Sequence, residues 1–287
     1  MEGKLVLVTG GEGFVGSNLC ARLVARGNRV ISLDNRATSR EGARRIEGVE
    51  YRTGHTKDIA NMVPETPEYI YHLAEYARVE KSFDDIALVW DLNMTGTFGV
   101  LEYWRARKSK LIYAGSSTKF SDGGLGRNLS PYTWTKAANT ELVANYGAWF
   151  KLPFAITYFY NVYGPGERAG AYGTLIEIFR EKLRNGEPLT VNAPGTQRRN
   201  FTHVDDIVDG LILVGEKGEG DEFGLGNQKD YSVLEVAAMF GGPVEMRPEA
   251  PGNRMNSDVD STKARLLGWS AQRSLPEYIQ EVTQTTQ

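Results

Sequence analysis

The segment Thr9-Gly10-Gly11-Glu12-Gly13-Phe14-Val15-Gly16 joins an apolar run at Lys4–Thr9 to a helical stretch at Phe14–Arg26, whose inward residues are Phe14, Leu19, Leu23 and Val24. This succession of strand, glycine turn and helix constrains the fold more than any other feature of the chain. So tight a turn needs the φ values that glycine tolerates. A backbone free of Cβ atoms also lets a pyrophosphate reach the N–H groups of the helix N-terminus, where the helix dipole is positive. Glycine turns are common punctuation, so the spacing and the flanks decide. The segment satisfies GxGxxG through Gly11, Gly13 and Gly16, and TGxxGxxG through Thr9, Gly10, Gly13 and Gly16. An acid, Asp34, follows about 20 residues on at the end of the next strand. There a carboxylate accepts both hydroxyls of an adenosine ribose and repels a 2′-phosphate, which makes NAD the expected cofactor; Arg36 stands near enough to keep NADP open.

The alternation continues through the first half. Strands are predicted at Arg29–Leu33, Glu50–Arg52, Tyr69–Leu73, Lys110–Ala114 and Phe154–Phe159, with helices near Asp58–Val63, over Asp85–Arg107 and over Tyr132–Phe150. Strands separated by helices predict an α/β fold, a Rossmann-type doubly wound parallel sheet. After Asn161 glycine and proline become frequent and strict alternation stops, which predicts a smaller α/β C-terminal substrate lobe. Its pieces are helices at Thr174–Asn185, around His203–Gly215 and at Val233–Phe240, the last with a capping box from Ser232 and Glu235, a strand at Leu189–Asn192, and segments Ser261–Leu267 and Pro276–Gln284. The expected division is 1–165 and 166–287, with 200–215 returning to the first domain.

Charge narrows the partners. With 33 Lys and Arg against 36 Asp and Glu and no long basic block, the chain is not expected to bind nucleic acid. Cys20 is the single cysteine, and His55, His72 and His203 lack ligand spacing, so neither an intrachain disulfide nor a metal site is expected. The N-terminal run has no signal-peptide pattern and nowhere are there ~18 consecutive apolar residues. The expectation is a cytoplasmic protein that does not engage membranes.

Tyr132-Thr133-Trp134-Thr135-Lys136 opens the second long helix, placing phenol and ammonium one turn apart on one face. A phenol of pKa near 10 is a poor base, but an adjacent cation and a bound nicotinamide cation favour the phenolate, which then takes a proton from an alcohol. Alone, such a pair is more often an ordinary surface aromatic and lysine. Ser116-Ser117-Thr118, at a strand end where ligands collect in open α/β sheets, supplies hydroxyls for a substrate oxygen.

These motifs, together with LDN at 33–35, HLA at 72–74, the N-x-x-G-T of Asn93–Thr97, AGSST at 114–118, NVYGPG at 161–166, RRNFTHVDDIV at 198–208 and DSTKARLLGW at 260–269, resemble the extended short-chain dehydrogenase/reductase family, in its NAD-dependent nucleotide-sugar epimerase and dehydratase branch. The resemblance covers nearly the whole chain and implies an NAD-binding first domain and a nucleotide-sugar-binding lobe. It implies Tyr132 as base, Lys136 as holder of the nicotinamide ribose, and Ser117 as the substrate-polarising hydroxyl. NAD would be met by Gly10, Gly13, Phe14, Val15 and Gly16, by Asp34 and Asn35, by Leu73 and Ala74, and by Asn93, Ser116, Tyr132, Lys136 and Tyr160. The nucleotide-diphosphate sugar would be met by Ser117, Thr118, Asn161 and Arg199, where planar guanidinium suits phosphate oxygens. Arg198 reads as a solvated surface arginine.

Departures from the family pattern carry information. Dehydratases of this branch have an Asp-Glu pair after the hydroxyl, where this chain has Thr118-Lys119; 4,6-dehydration is therefore disfavoured, and decarboxylation of a glucuronate, which expects the glutamate, with it. Gly54-His55 replaces the Gly-Asp that caps adenine. The loop before Tyr132 is glycine-rich (Gly123, Gly124, Gly126), and Ala250-Pro251-Gly252 replaces Arg-Pro-Gly, leaving Arg247 or Arg254 as the second phosphate arginine. The expected activity is oxidation at C4 of a nucleotide-linked sugar, foremost 4-epimerisation, then net 4-dehydrogenation or 4-keto reduction, then a 4,6-dehydratase or decarboxylase, and last a non-catalytic NAD sensor. Apolar surface on the two long helices, including Tyr103, Trp104 and Trp149, together with the resemblance, implies a homodimer.

Overall fold

A computed structural model of the chain describes residues 1–38, 45–119, 126–170, 172–249 and 259–284. Six strands follow the alternation of the sequence: β1 (Leu5–Thr9), β2 (Arg29–Asp34), β3 (Val49–Thr53), β4 (Tyr69–His72), β5 (Lys110–Ser116) and β6 (Phe154–Phe159). A seventh, Gly220–Leu225, was not expected, because its first half is glycine and two acids; it pairs with β6 through a register shift between Gly220 and Phe223. The sheet runs in the order Gly220–Leu225, β6, β5, β4, β1, β2, β3. Every pairing is parallel, as in doubly wound folds.

Two buried clusters cover the sheet faces. On one face Val100, Leu101 and Trp104 from α4 (Gly96–Arg107) and Val143 and Tyr146 from α5 (Pro131–Phe150) pack over Leu7, Ile31, Ile70, Leu111 and Ile156. On the other, Leu19, Cys20 and Leu23 from α1 (Phe14–Ala25) meet Ile207, Val208, Leu211 and Ile212 from the helix Val204–Lys217. The helix Val204–Lys217 and the seventh strand thus join the main sheet from beyond residue 200. A separate cluster, with Ile176, Phe179, Leu189, Val191, Phe240 and Ile279, forms the core of the smaller lobe. Among the described residues no helix is long and apolar enough to cross a membrane.

The single helix expected over Asp85–Arg107 is three pieces: an α-turn at Ile86–Val89, a π-helical segment at Trp90–Thr95, and α4. A π segment loosens the backbone ladder, and here Asn139 Nδ2 donates to the carbonyl of Asn93 at 2.7 Å. The same helices require a correction on exposure. Trp104 and Tyr103 are core residues at 0% and 2% exposure, because they point at the sheet, whereas Trp149 stands 61% exposed.

Candidate active site

The ends of β1, β2, β4 and β5 converge on one edge of the sheet, where open α/β folds bind ligands. At the end of β1, Gly10 sits at φ +74°, and a Cβ there would lie 2.9 Å from the backbone of Leu73 and Ala74. A Cβ on Gly16 would lie 2.0 Å from the carbonyl oxygen of Gly10, so α1 can begin this close to the strand only with glycine. Its N-cap, Gly13, offers no side-chain acceptor, which leaves the first-turn N–H groups directed outward beside Phe14 and Val15. This cradle, which a side chain would fill, fits a pyrophosphate.

Asp34, at the end of β2, accepts from the backbone N–H of Glu12 at 3.1 Å and of Arg36 at 2.8 Å. Burial raises its carboxyl above the ordinary value, and those hydrogen bonds oppose the rise. Asn35 accepts from the N–H of Ala37 and shapes the turn. Arg36, whose position in the sequence kept NADP open, is gripped by Glu12: Nε lies 3.1 and 3.0 Å from the two carboxylate oxygens, and Nη2 3.0 Å from one. Sequence reasoning missed Glu12, although a charge inside a glycine turn is the signal that would have found it. His55 caps the 3₁₀ turn Thr56–Asp58, its Nδ1 accepting from Lys57 N, and its Nε2 stands 3.1 Å from Asp91.

At the other end of the site, Ser130 and Thr133 form a capping box with Pro131 in the first turn, so α5 starts rigidly with Tyr132 facing the end of β5. The Tyr132 hydroxyl donates to Ser116 Oγ at 3.2 Å, and Ser116 is in turn 2.8 Å from the Thr118 hydroxyl. Ser116, the last residue of β5, is thus the hydroxyl bonded to Tyr132, while Ser117, expected from the sequence as the polarising hydroxyl, opens the following 3₁₀ turn and is buried.

Lys136, one turn past Tyr132, is buried, with its Nζ bonded to the carbonyl of Ala114 and ion-paired with Glu75. Glu75 was not anticipated from sequence, although an acid directly behind the apolar HLA segment marks it. Its side chain is 4% exposed, and its oxygens also accept from Thr97 Oγ1 (2.8 Å), Asn139 Nδ2 (2.7 Å) and the Tyr113 hydroxyl (3.1 and 2.9 Å). Burial would raise this carboxyl, but the Lys136 charge and the hydrogen bonds outweigh it and hold it below its usual range. Since Thr97 gives its single hydrogen to Glu75, it accepts from His72 Nε2 at 2.9 Å, and His72 Nδ1 accepts from Thr9 Oγ1 at 2.7 Å. A directed chain of hydrogen bonds thus runs from the glycine turn to the lysine beside Tyr132. Burial pushes His72 down to about 4, so it is neutral at physiological pH.

Other expected contacts fall differently. Asn93 is fully buried, with its amide spent on the backbone of Tyr76 (2.6 and 3.4 Å) and on Thr135 Oγ1 (3.0 Å), so it braces the wall from behind. Tyr160 is buried with its ring against Gly226. Asn161, at φ +35°, donates to the carbonyl of Asn200 at 2.9 Å, tying the end of β6 to the strand that carries Arg199. Arg199 Nη1 donates to the carbonyl of Arg198 at 2.8 Å. Arg198, read as a solvated arginine, is half-exposed but paired with Asp230 and Glu235. Arg254, Gly123, Gly124 and Ala250–Gly252 lie outside the described residues.

Comparison with known proteins finds relatives over nearly the whole chain. The model of the NAD dependent epimerase/dehydratase family matches residues 6–226. A UDP-glucose 4-epimerase of Mycolicibacterium smegmatis is 30% identical over 298 residues, covering 95% of each chain. UDP-glucuronic acid decarboxylase 2 of Arabidopsis thaliana is 29% identical over 301 residues, covering 96% of this chain and 66% of that one. Among solved structures, the epimerase Mth375 of Methanothermobacter thermautotrophicus superposes with a TM-score of 0.92 at 30% identity, covering 99% of this chain and 92% of that one.

Proposed function

The chain belongs to the NAD dependent epimerase/dehydratase family, and from that premise we propose that it is an NAD-dependent 4-epimerase of a nucleotide-linked hexose or heptose. The observation that carries this reading is the Ser116–Tyr132–Lys136 set with, among the described residues, no free carboxylate behind it. Elimination of water needs an acid and a base after the hydroxyl, and the two residues that follow Ser116 are Ser117 and Thr118. The acid that does enter the site, Glu75, is engaged by four donor groups, so it is not free to serve.

The glycine turn from Gly10 to Gly16, with Leu73 and Ala74 beside it, would hold the pyrophosphate, and Asp34 the adenosine ribose. NAD, when bound, supplies a hydride acceptor and donor. Tyr132 takes the proton of the C4 hydroxyl and later returns it, while Ser116 holds the C4 oxygen through both passages. Lys136 fixes the ribose side of the site. Asn161 and Arg199 would meet the nucleotide diphosphate from the smaller lobe.

A homodimer completes the reading. Ile86, Trp90, Phe98, Trp134, Trp149 and Phe150 are each more than two-fifths exposed on the outer faces of the helices between Ile86 and Phe150, and Trp90 stacks on Trp134 at 6.1 Å. Contiguous apolar surface of this kind marks a protein contact, and a second copy of the same helices is its occupant.

Incubation with UDP-, GDP-, dTDP- and CDP-sugars in deuterated water tests the activity. Return of the hydride predicts inversion at C4 with no solvent deuterium on carbon. A released keto sugar, or deuterium at C5, would overturn the proposal.

A further inference from the structure

We propose that Glu75 is a positioning residue of this site, acting through Lys136: it neutralises the lysine and fixes its Nζ, so that the lysine meets Tyr132 and the sugar side of the cleft as a placed donor rather than as an uncompensated cation. The inference rests on Tyr132 being the base.

The geometry for this is unusually complete. Lys136 Nζ is shared between the Glu75 carboxylate and the carbonyl of Ala114, and it lies 4.6 Å from the centre of the Tyr113 ring. The carboxylate cannot turn away, because Thr97, Asn139 and Tyr113 donate to it from three other elements. Both charges are nearly closed to solvent, at 6% and 4% side-chain exposure, so each is the other's dominant field. Water does not screen them, so loss of the carboxylate would leave any charge on the lysine uncompensated beside the phenol. Tyr132 is bonded to Ser116 and feels Tyr113 from β5 and Arg78 from the loop after β4, with Lys136 one turn on along its own helix and Tyr172 in the same apolar cluster. Arg78 is bonded to the carbonyls of Tyr172 and Ala77 and feels Glu167, so it is unaffected by a change at Glu75.

This arrangement suits a reaction that must run both ways. A base held permanently as phenolate by a free cation takes a proton poorly, although its conjugate acid gives one up readily. With Lys136 neutralised, proton affinity at Tyr132 is left to respond to what is bound in the cleft, and the same phenol can take the C4 proton and return it.

The test is a charge cycle on the protein without substrate, read by the near-ultraviolet absorbance of tyrosinate, with Tyr132→Phe in each background to assign the signal. Glu75→Gln should move the Tyr132 transition to lower pH by about one unit, Lys136→Met should move it up, and the double variant should return it near wild type. Glu75→Asp, which keeps the charge, should stay near wild type. If Glu75→Gln does not fold, the opposite shifts of Lys136→Met and its double variant carry the test. An unmoved transition in Glu75→Gln, or equal shifts in the single and double lysine variants, would show Glu75 to be merely structural. No substrate enters the measurement, so this failure is distinguishable from failure of the proposed epimerisation.

Discussion

Tyr132 and Ser116 share a hydrogen bond at 3.2 Å across the junction between the first turn of α5 and the last residue of β5, which makes Ser116 the hydroxyl positioned to hold a sugar oxygen beside the phenol. Ser116→Ala should lower kcat by about 10²-fold, the usual cost of one transition-state donor, and Ser117→Ala by much less. Tyr132→Phe should cost about 10³-fold while leaving nucleotide-sugar binding nearly intact. Steady-state kinetics on the three variants decides; a larger loss at Ser117 would reverse the assignment.

Cofactor choice depends on a pair that sequence could not see. Arg36 stands two residues past Asp34, and Glu12 holds it bidentately with its own side chain 1% exposed. Glu12→Ala should free the guanidinium and tighten NADP binding by about tenfold, the scale of one exchanged ion pair. Calorimetric titration with NAD and NADP reads this directly, and an unchanged NADP affinity would sink it.

Gly16 has no room for a methyl group: a Cβ would sit 2.0 Å from the carbonyl oxygen of Gly10. Gly16→Ala must push α1 off the turn, destabilising the fold by on the order of 3 kcal/mol and weakening NAD binding. Gly27→Ala is the control, since that glycine lies at φ +75° with only Glu2 nearby; chemical unfolding and NAD titration of both separate turn geometry from backbone strain.

Acid should destabilise the site in a defined window. His72 is lowered from its ordinary 6.5 to about 4 by burial, so between these values the unfolded chain binds a proton that the folded one refuses. Its stability contribution is present above pH 6.5 and is lost as pH falls toward 4, on the order of 3 kcal/mol in all. Glu75, held low by Lys136, adds a loss of the same sign below about pH 4.5. Glu167, raised to about 7 by burial, has the opposite sign. The prediction is therefore read as a difference: His72→Gln should flatten the pH dependence of unfolding between 4 and 6.5 relative to wild type, and an identical slope would refute it.

Self-association should run through the exposed helix face. Phe98→Glu with Trp149→Glu, at 54% and 61% exposure, removes two large apolar anchors from that face. Sedimentation should show a dimer for the wild type and a monomer for the double variant; a monomeric wild type at micromolar concentration would exclude the proposed dimer.

The sequence alone determined the order of the first six strands, the glycine turn, and the placing of Tyr132 and Lys136 on one helical face, since each is written in local periodicity or short spacing. Asp34 was legible for the same reason, as an acid at a fixed distance from a turn. What only the tertiary structure decided involves residues far apart in the chain. The grip of Glu12 on Arg36, the ion pair of Glu75 with Lys136, and the bond of Tyr132 to Ser116 each depend on which strand ends lie side by side and which way a terminal residue faces. The seventh strand was hidden too, because its polar first half has no strand signature and it is fixed by pairing with β6. Buried charges follow the same rule: a single acid in sequence says nothing of its partner, and only packing removes the water that would make the partner irrelevant.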